Sequence, residues 1–297
     1  MINRLFSAFR STKTSDTRLS VIVISYNMKR ELPRTLETLS AGMQLDISED
    51  DYEIIVVDNG SSVPADEEYC SGLGRNIRLV TAPNPTASPA GAIAYGVSLA
   101  RYDCLGIWID GARMASPGIL SLARTALGLG PQTVVGTIGF HLGPKVQMES
   151  VHEGYDQAEE DRLLSSAGWR EDGYRLFDVS CLAGSSARGW FVLPQETNAL
   201  FMHKRYYEAL GGYDEKFQSP GGGLINHDIW NRVCEAGTSN LIMLLGEGTF
   251  HQVHGGVATN SLQSPWDGFV REYENIRGKP YRRAEGSFRV FGTPRAL

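Results

Sequence analysis

The apolar stretch CLGIWID ends on one acid, Asp110, and the residues after it, GARM, could share neither a metal nor a charge with it. A lone carboxylate at the end of a buried strand needs partners from elsewhere. Two other apolar runs end on polar groups in the same way. LSVIVIS leads into Ser25, Tyr26 and Asn27, and EIIVV leads into Asp58, Asn59, Gly60, Ser61 and Ser62. Each ending taken singly reads as an ordinary turn, DNGSS above all. Three of them in one half-chain, with Asp110 followed by Gly111, describe a cleft, because open parallel sheets bind ligands outside the carboxyl ends of their strands. Late in the chain HQVH sets His251 and His254 after the apolar run LIMLL. Imidazole suits Mn²⁺ or Zn²⁺ better than Mg²⁺, and the same spacing in a loop also occurs in ordinary core or surface histidines. No G-x-G-x-x-G follows the first strand and no G-x-x-x-x-G-K-[ST] is present, which removes the main support for a dinucleotide or P-loop reading.

The elements that must position these groups alternate. After LSVIVISYN, the segment RELPRTLETLSAGM repeats leucine with helical spacing at Leu32, Leu36 and Leu39. DYEIIVVD, NIRLV and CLGIWID follow as strands, AGAIAYGVSLARY as a small-residue helix, and SPGILSLARTALGLG as a helix begun by Ser116–Pro117. QTVVGTIGF completes the half. Strands apolar throughout and separated by helices predict a mostly parallel sheet covered on both faces. Past residue 140 the regularity lapses, with one short helix predicted around Gln157–Ser166, and the tail from Thr259 reads as a polar, basic-aromatic wrap. PGGG, Pro220 to Gly223, reads as a mobile hinge or a close-approach loop, suited to a lid ordered by donor binding.

The 297 residues, 42% of them hydrophobic, are enough for a substantial core. A net charge of −6 argues against a nucleic-acid partner. Four scattered cysteines (Cys70, Cys104, Cys181 and Cys234) form no C-x-x-C pair and imply a reducing, cytoplasmic compartment, with Cys104 a core residue. No apolar run approaches the about 20 residues of a membrane span. The opening MINRLFSAFRSTKTSDTR is basic, with Ile2, Leu5, Phe6 and Phe9 interleaved. It reads as a frayed terminus, or as a weak amphipathic foot on the inner face of an anionic membrane.

VIVISYNMKRELPRTLETL, YEIIVVDNGSS and WIDGA resemble, in order and spacing, the nucleotide-sugar half of family 2 glycosyltransferases with the GT-A fold. ALGGYDEKF is similar to that family's G-G-[FY]-D-E-x-F segment, and HDIWNRVCEAG to the helix carrying its E-D-x-D-L-x-x-R motif. The resemblance runs from about Leu19 to Asn260. It implies that Asp58 accepts the ring N–H of a uracil or guanine, that Ser25 and Tyr26 line the nucleotide pocket, and that Asp110 opens a D-x-D motif holding a divalent cation on the donor diphosphate. The sequence departs from that motif at Ala112, so the second ligand falls to His251 or His254, since related enzymes recruit a late histidine. The acidic motif departs too. Aligning DIWNR puts Asp228 at the last acid, Asn226 at the usual base and Ile225 before it. Asn226 cannot take a proton in that role, which leaves Asp228, His227 and, more remotely, Glu196 as candidate bases, or a retaining mechanism with none.

The expectation is therefore an α/β, GT-A-like single domain with an irregular acceptor-side second half: residues 1–18 a flexible terminus, 19–260 the catalytic domain (19–140 nucleotide-sugar half, 141–260 acceptor half) and 261–297 an extension packed on it. The expected function is metal-assisted transfer, with Mn²⁺ or Mg²⁺, from a nucleotide-diphosphate sugar such as a UDP-sugar to a glycan, lipid-linked or small-molecule acceptor, as in polysaccharide biosynthesis. Two alternatives stand beside it. One is a non-catalytic nucleotide- or carbohydrate-binding relative, kept open by Ala112 and Asn226. The other is a nucleotidyltransferase, which SYNMKRELP disfavours because it carries Lys29 and Arg30 but no glycine.

Overall fold

The computed structural model of the chain describes residues 16–255 and 265–293. The basic N-terminal stretch up to residue 15 lies outside the described residues. One sheet of ten strands organises the rest: β1 (Leu19–Ser25), β2 (Tyr52–Asp58), β3 (Ile77–Thr81), β4 (Cys104–Trp108), β5 (Arg113–Ala115), β6 (Thr133–Leu142), β7 (Ser180–Leu182), β8 (Ala199–His203), β9 (Asn240–His251) and β10 (Arg289–Gly292). The helices among the described residues are α1 (Glu31–Leu39), α2 (Glu67–Gly72), α3 (Ala90–Ser98), α4 (Ile119–Leu127), α5 (Gln147–Ser150), α6 (Gln157–Ala167), α7 (Lys204–Ala209), α8 (Ile225–Glu235) and α9 (Trp266–Arg277).

The strand order is β10-β9-β6-β8-β4-β1-β2-β3, with β5 added to β9 and β7 to β6. Strands β1 to β4 are mutually parallel, β8 is antiparallel to β4 and β6, and β6, β9 and β10 run parallel to one another. Two reversals at β8 return β6 and β9 to the direction of β4. The carboxyl ends of β1, β2, β4 and β9 therefore share one edge of the sheet. The mostly parallel sheet read from the apolar runs is present, and β8 and the short β5 and β7 are antiparallel exceptions that those runs did not reveal.

Side chains alternate across a strand with period two, so a strand apolar at every position must be covered twice. Leu19, Val21 and Val23 pack on one face with Leu32, Leu36 and Leu39 of α1 and with α4. Ile22 and Ile24 pack on the other face with Ile93 of α3 and with Ile225, Ile229 and Trp230 of α8. Ile22 is fully buried, and Ile22→Ala would cost about 2–5 kcal/mol. Cys104 is buried in this core and all four cysteines are free thiols.

Local punctuation mostly follows the sequence. Asp156 caps α6 by accepting from the Glu159 N–H, and Gly168 ends it in the left-handed region. Helix α4 begins two residues past Ser116–Pro117, and its cap comes from across the sheet: the Glu247 carboxylate accepts from the Gly118 N–H at 3.0 Å and from the Ser116 hydroxyl at 2.5 Å. PGGG is a packed turn rather than a free lid. Gly221, Gly222 and Gly223 have φ of 70°, 86° and 53°, the Gly221 N–H donates to Ala87 O, and a side chain at Gly222 would come within 2.7 Å of Ile225. The tail does more than wrap the surface. Helix α9 sinks Phe269 and Tyr273 into the core, and β10 pairs in parallel with the outer side of β9.

Candidate active site

The ends of β1 and β2 are laced together. The Asn59 N–H donates to Ser25 O at 2.8 Å, the Asn27 N–H to the Ser61 hydroxyl at 2.7 Å, and Asn27 Oδ1 accepts from Ser62 and from the Val63 N–H, both at 3.1 Å. Asn27 supports this with a φ of 54°, which asparagine tolerates better than most residues. Asp58 spends one oxygen locally: Oδ1 accepts from the N–H groups of Gly60 and Ser61 at 2.9 and 2.7 Å. Its Oδ2 has no hydrogen-bond partner among the described residues. Ser25 is buried with its hydroxyl unpartnered, and Tyr26 stands 54% exposed at the mouth.

Gly111 lets the next turn close. Its N–H donates to Ile24 O at 2.7 Å, and a Cβ there would meet that oxygen at 2.9 Å. Asp110 Oδ1 accepts from the Ala112 N–H at 3.0 Å, which turns Oδ2 toward the histidines. Ala112 itself is fully buried in the apolar layer with Met28 and Leu32, so a carboxylate on this backbone at 112 would face the core.

His251 ends β9 opposite Arg113 of β5, and its Nε2 is 3.1 Å from Asp110 Oδ2. His254 Nε2 is 3.7 Å from the same oxygen and 3.1 Å from His251 Nε2. The three ligand atoms lie within 4.8 Å of one another. The loop between the histidines is tied down: the Val253 N–H donates to Glu160 Oε2 of α6 at 2.8 Å, Arg30 reaches Val253 O, and the Gln252 amide donates to Glu31 O of α1. Gln147 sets the tautomer of His251. Its amide N–H₂ donates to His251 O at 2.9 Å, which directs Oε1 to His251 Nδ1 at 2.5 Å. Nδ1 therefore carries the hydrogen, and the Nε2 lone pair faces Asp110 and His254.

Burial and the Arg113 guanidinium push His251 down to about 4, so it is neutral near pH 7. Burial works against the charge of His254, but Asp110 raises it above its ordinary value. Burial alone would raise the Asp110 carboxyl, but the charge of His254 beside it holds it well below the usual range. A carboxylate oxygen and an imidazole lone pair 3.1 Å apart are two acceptors facing each other, and that geometry is relieved by a shared proton or a cation. One carboxylate and two imidazoles suit a first-row divalent ion such as Mn²⁺, so the residues fit the cation expected from the sequence.

The three carboxylate and imidazole groups expected as candidate bases sit in different surroundings. Asp228 is fully buried on α8 and closed by arginines: Arg232 donates to Oδ2 at 2.9 and 2.7 Å, and Arg277 of α9 donates to Oδ1 at 2.5 Å and to Oδ2 at 2.7 Å. A carboxylate enclosed in this way offers no open oxygen to an acceptor hydroxyl. His227 is 7% exposed, with Nδ1 2.9 Å from the Tyr281 hydroxyl and its ring against Trp266 and Tyr281. Its Nε2 lies 3.7 Å from Glu196 Oε2, so it flanks that carboxylate rather than facing solvent.

Glu196 is the carboxylate with an opening, its side chain 20% exposed. Asn226, at the position of the usual base, orients it instead. The Asn226 amide donates to Glu196 Oε2 at 3.1 Å and to Thr197 O at 2.9 Å, and Tyr213 donates to its Oδ1 at 2.9 Å. Burial would raise Glu196, yet His227, Arg113 and hydrogen bonds from Asn226 and Ser185 lower it, leaving an ionised acceptor at neutral pH. Sequence spacing named Glu196 only as a remote choice, and nothing local signalled Gln147 at all.

A family model described as Glycosyl transferase family 2 matches residues 20–185, more than half of the chain. Two curated relatives are each 27% identical over 228 residues, 69% of this chain. Both are named validoxylamine A glucosyltransferase, from Streptomyces hygroscopicus subsp. limoneus and Streptomyces hygroscopicus subsp. jinggangensis (strain 5008). The match covers 45% and 49% of their lengths, so the chain spans about half of the relatives it matches. Among solved structures it is similar to S. aureus TarS 1-349 in complex with UDP, with a TM-score of 0.49 and 12% identity over 80% of this chain and 61% of that one. A second structure, S. aureus TarS, gives a TM-score of 0.48, also at 12% identity, over 80% of this chain and 37% of that one.

Proposed function

The chain belongs to glycosyl transferase family 2, and we propose that it transfers a sugar from a nucleoside-diphosphate sugar to an acceptor hydroxyl with the help of a divalent cation. The observation that carries this reading is the convergence of Asp110, His251 and His254 at the sheet edge where Asp58 presents a free carboxylate oxygen. Asp58 Oδ2 accepts the ring N–H of a uracil or guanine, and Tyr26 covers the nucleotide at the mouth. Asp110, His251 and His254 hold the cation beside the diphosphate, where it would neutralise the leaving group. Glu196, kept ionised and aimed by Asn226, takes the proton of the acceptor hydroxyl as that oxygen attacks the anomeric carbon. His227 buttresses Glu196, and Asp228 ties α8 to α9.

The curated relatives are named for glucosyl transfer to validoxylamine A. UDP-glucose and GDP-glucose therefore head the donors to try, with validoxylamine A first among acceptors and glycan or lipid-linked acceptors after it. No helix among the described residues is long and apolar enough to cross a membrane. The basic segment of residues 1–15 remains the part to test on anionic vesicles, and a cytoplasmic place at a membrane face fits that proposal. The deciding measurement is release of free nucleoside diphosphate from a panel of nucleotide sugars, with Mn²⁺ and with chelator. Release with Mn²⁺ that stops in chelator is expected. Tight donor binding without release from any donor would instead favour a non-catalytic binder.

A further inference from the structure

Arg113 is the charged group that the family reading leaves unused, three residues after Asp110 on β5. Its main chain is fixed on both sides: it pairs with His251 of β9, and Trp108 Nε1 donates to its carbonyl at 3.1 Å. Its side chain is 12% exposed, and Nε and Nη1 are buried without a hydrogen-bond partner. Its one ion pair is loose, Nε lying 3.4 Å from Asp110 Oδ2. The other arginines with a buried unpartnered nitrogen differ. Arg30, Arg34, Arg78 and Arg124 each bring another nitrogen within 2.8 Å of an oxygen. A buried guanidinium without a close acceptor is costly unless a ligand completes it.

We propose that Arg113 is a second, protein-borne cation of the site, whose guanidinium donates to the diphosphate of the donor. This rests on the nucleotide-sugar reading above and adds a residue to it. Arg113 lowers both His251 and Glu196, so its charge reaches the cation pocket on one side and the base on the other. The charge count supports the same role. Where a D-x-D motif brings two acids, this chain brings Asp110 and Ala112, and Arg113 cancels Asp110 before any metal binds. An incoming diphosphate therefore meets no net negative charge from this pair, and part of its binding does not need the cation. In transfer, the bond between the anomeric carbon and the diphosphate oxygen breaks with its electron pair staying on oxygen. The acceptor oxygen bonds to the carbon, the acceptor proton goes to Glu196, and Arg113 stays protonated throughout while bonding the departing oxygens.

The test is calorimetry of the full chain with UDP, GDP and the matching nucleosides, in chelator and again with Mn²⁺. The unmodified protein is expected to bind the diphosphate more tightly than the nucleoside even in chelator. Arg113→Gln should weaken diphosphate binding in chelator by about tenfold to a hundredfold, the loss of a charge-assisted hydrogen bond, while nucleoside affinity stays unchanged. Unchanged UDP and GDP affinity in Arg113→Gln overturns the role of Arg113 and leaves the nucleotide-sugar reading standing. If the unmodified protein binds no nucleotide in either condition, the underlying reading fails and this one with it. Should the glutamine variant not fold, Arg113→Lys decides. A point charge without the guanidinium fork should weaken diphosphate binding in chelator and leave nucleoside binding intact, and diphosphate binding as tight as in the unmodified protein overturns the proposal.

Discussion

Asp110 and Asp228 are both carboxylates set into the body of the protein, and their surroundings treat them in opposite ways. Around Asp228 every approach is taken: two guanidiniums supply four hydrogen bonds, and Arg277 continues to Asp214 at 2.8 Å while its guanidinium lies over the Phe217 ring. Around Asp110 one oxygen holds its own turn and the other faces two imidazoles, at 3.1 and 3.7 Å, and an arginine that stops 3.4 Å short. The first arrangement is complete as it stands and braces two helices. The second is a set of acceptors and one donor that only a ligand completes. Acidity and burial do not separate a binding site from a strut. The number of unspent hydrogen-bonding directions does.

The largest expected effect falls on the carboxylate between these extremes. Glu196→Gln should lower transfer by about 10²–10⁴ while donor binding is kept, as loss of a general base does. A rate near the unmodified protein's would return the role to another group. Asp228→Asn should next cost about 3–5 kcal/mol of stability in urea unfolding, because Arg232 and Arg277 lose their buried counter-charge, with Mn²⁺ affinity unaltered. A variant as stable as its parent that nonetheless fails to transfer would erase the contrast with Asp110. Gln147→Ala should weaken Mn²⁺ binding by about 10–100-fold, the usual effect of releasing a ligand histidine from its partner; titration calorimetry reads it directly, and an unchanged affinity would mean that His251 keeps its tautomer without help. Asp58→Ala is expected to be the mildest of the four. It should reduce nucleoside diphosphate affinity by about tenfold with the fold retained, one hydrogen bond being lost, and equal affinity would take Asp58 out of the pocket.

What could be read from the sequence follows the same division. Buried parallel strands are apolar at every position, so their polar endings at Ser25, Asp58 and Asp110 stand out in the chain, and the sheet with its ligand edge was legible from them. His251 and His254 could be placed there because they follow a strand. The closures were not legible. Nothing near Asp228 announces Arg277, which arrives from a helix 49 residues on. Nothing near Ser116 announces Glu247. Helical spacing tells which face of α8 is buried but not what it is buried against, so the motif alignment could not show that arginines enclose Asp228 or that Asn226 points back to Glu196. The reversal at β8 and the late strand β10 were hidden for the same reason, since strand partners far apart in sequence leave no local pattern.

The position of β9, between β6 and β10 and across the sheet from β1, has a consequence in time. The strands β1 to β4 are close in sequence and can pair early in folding, which brings Ser25, Asp58 and Asp110 to one edge while the chain is incomplete. The imidazoles come home only when β9 has docked on β6 and β5 has closed on β9, pairings between distant segments that form slowly. A partly folded chain can therefore present Asp58 but not the cluster of Asp110, His251 and His254. Because the ion would bind only the finished sheet, it would stabilise that state alone by mass action. Uptake of Mn²⁺ during refolding would then mark the moment at which the last strands have been inserted.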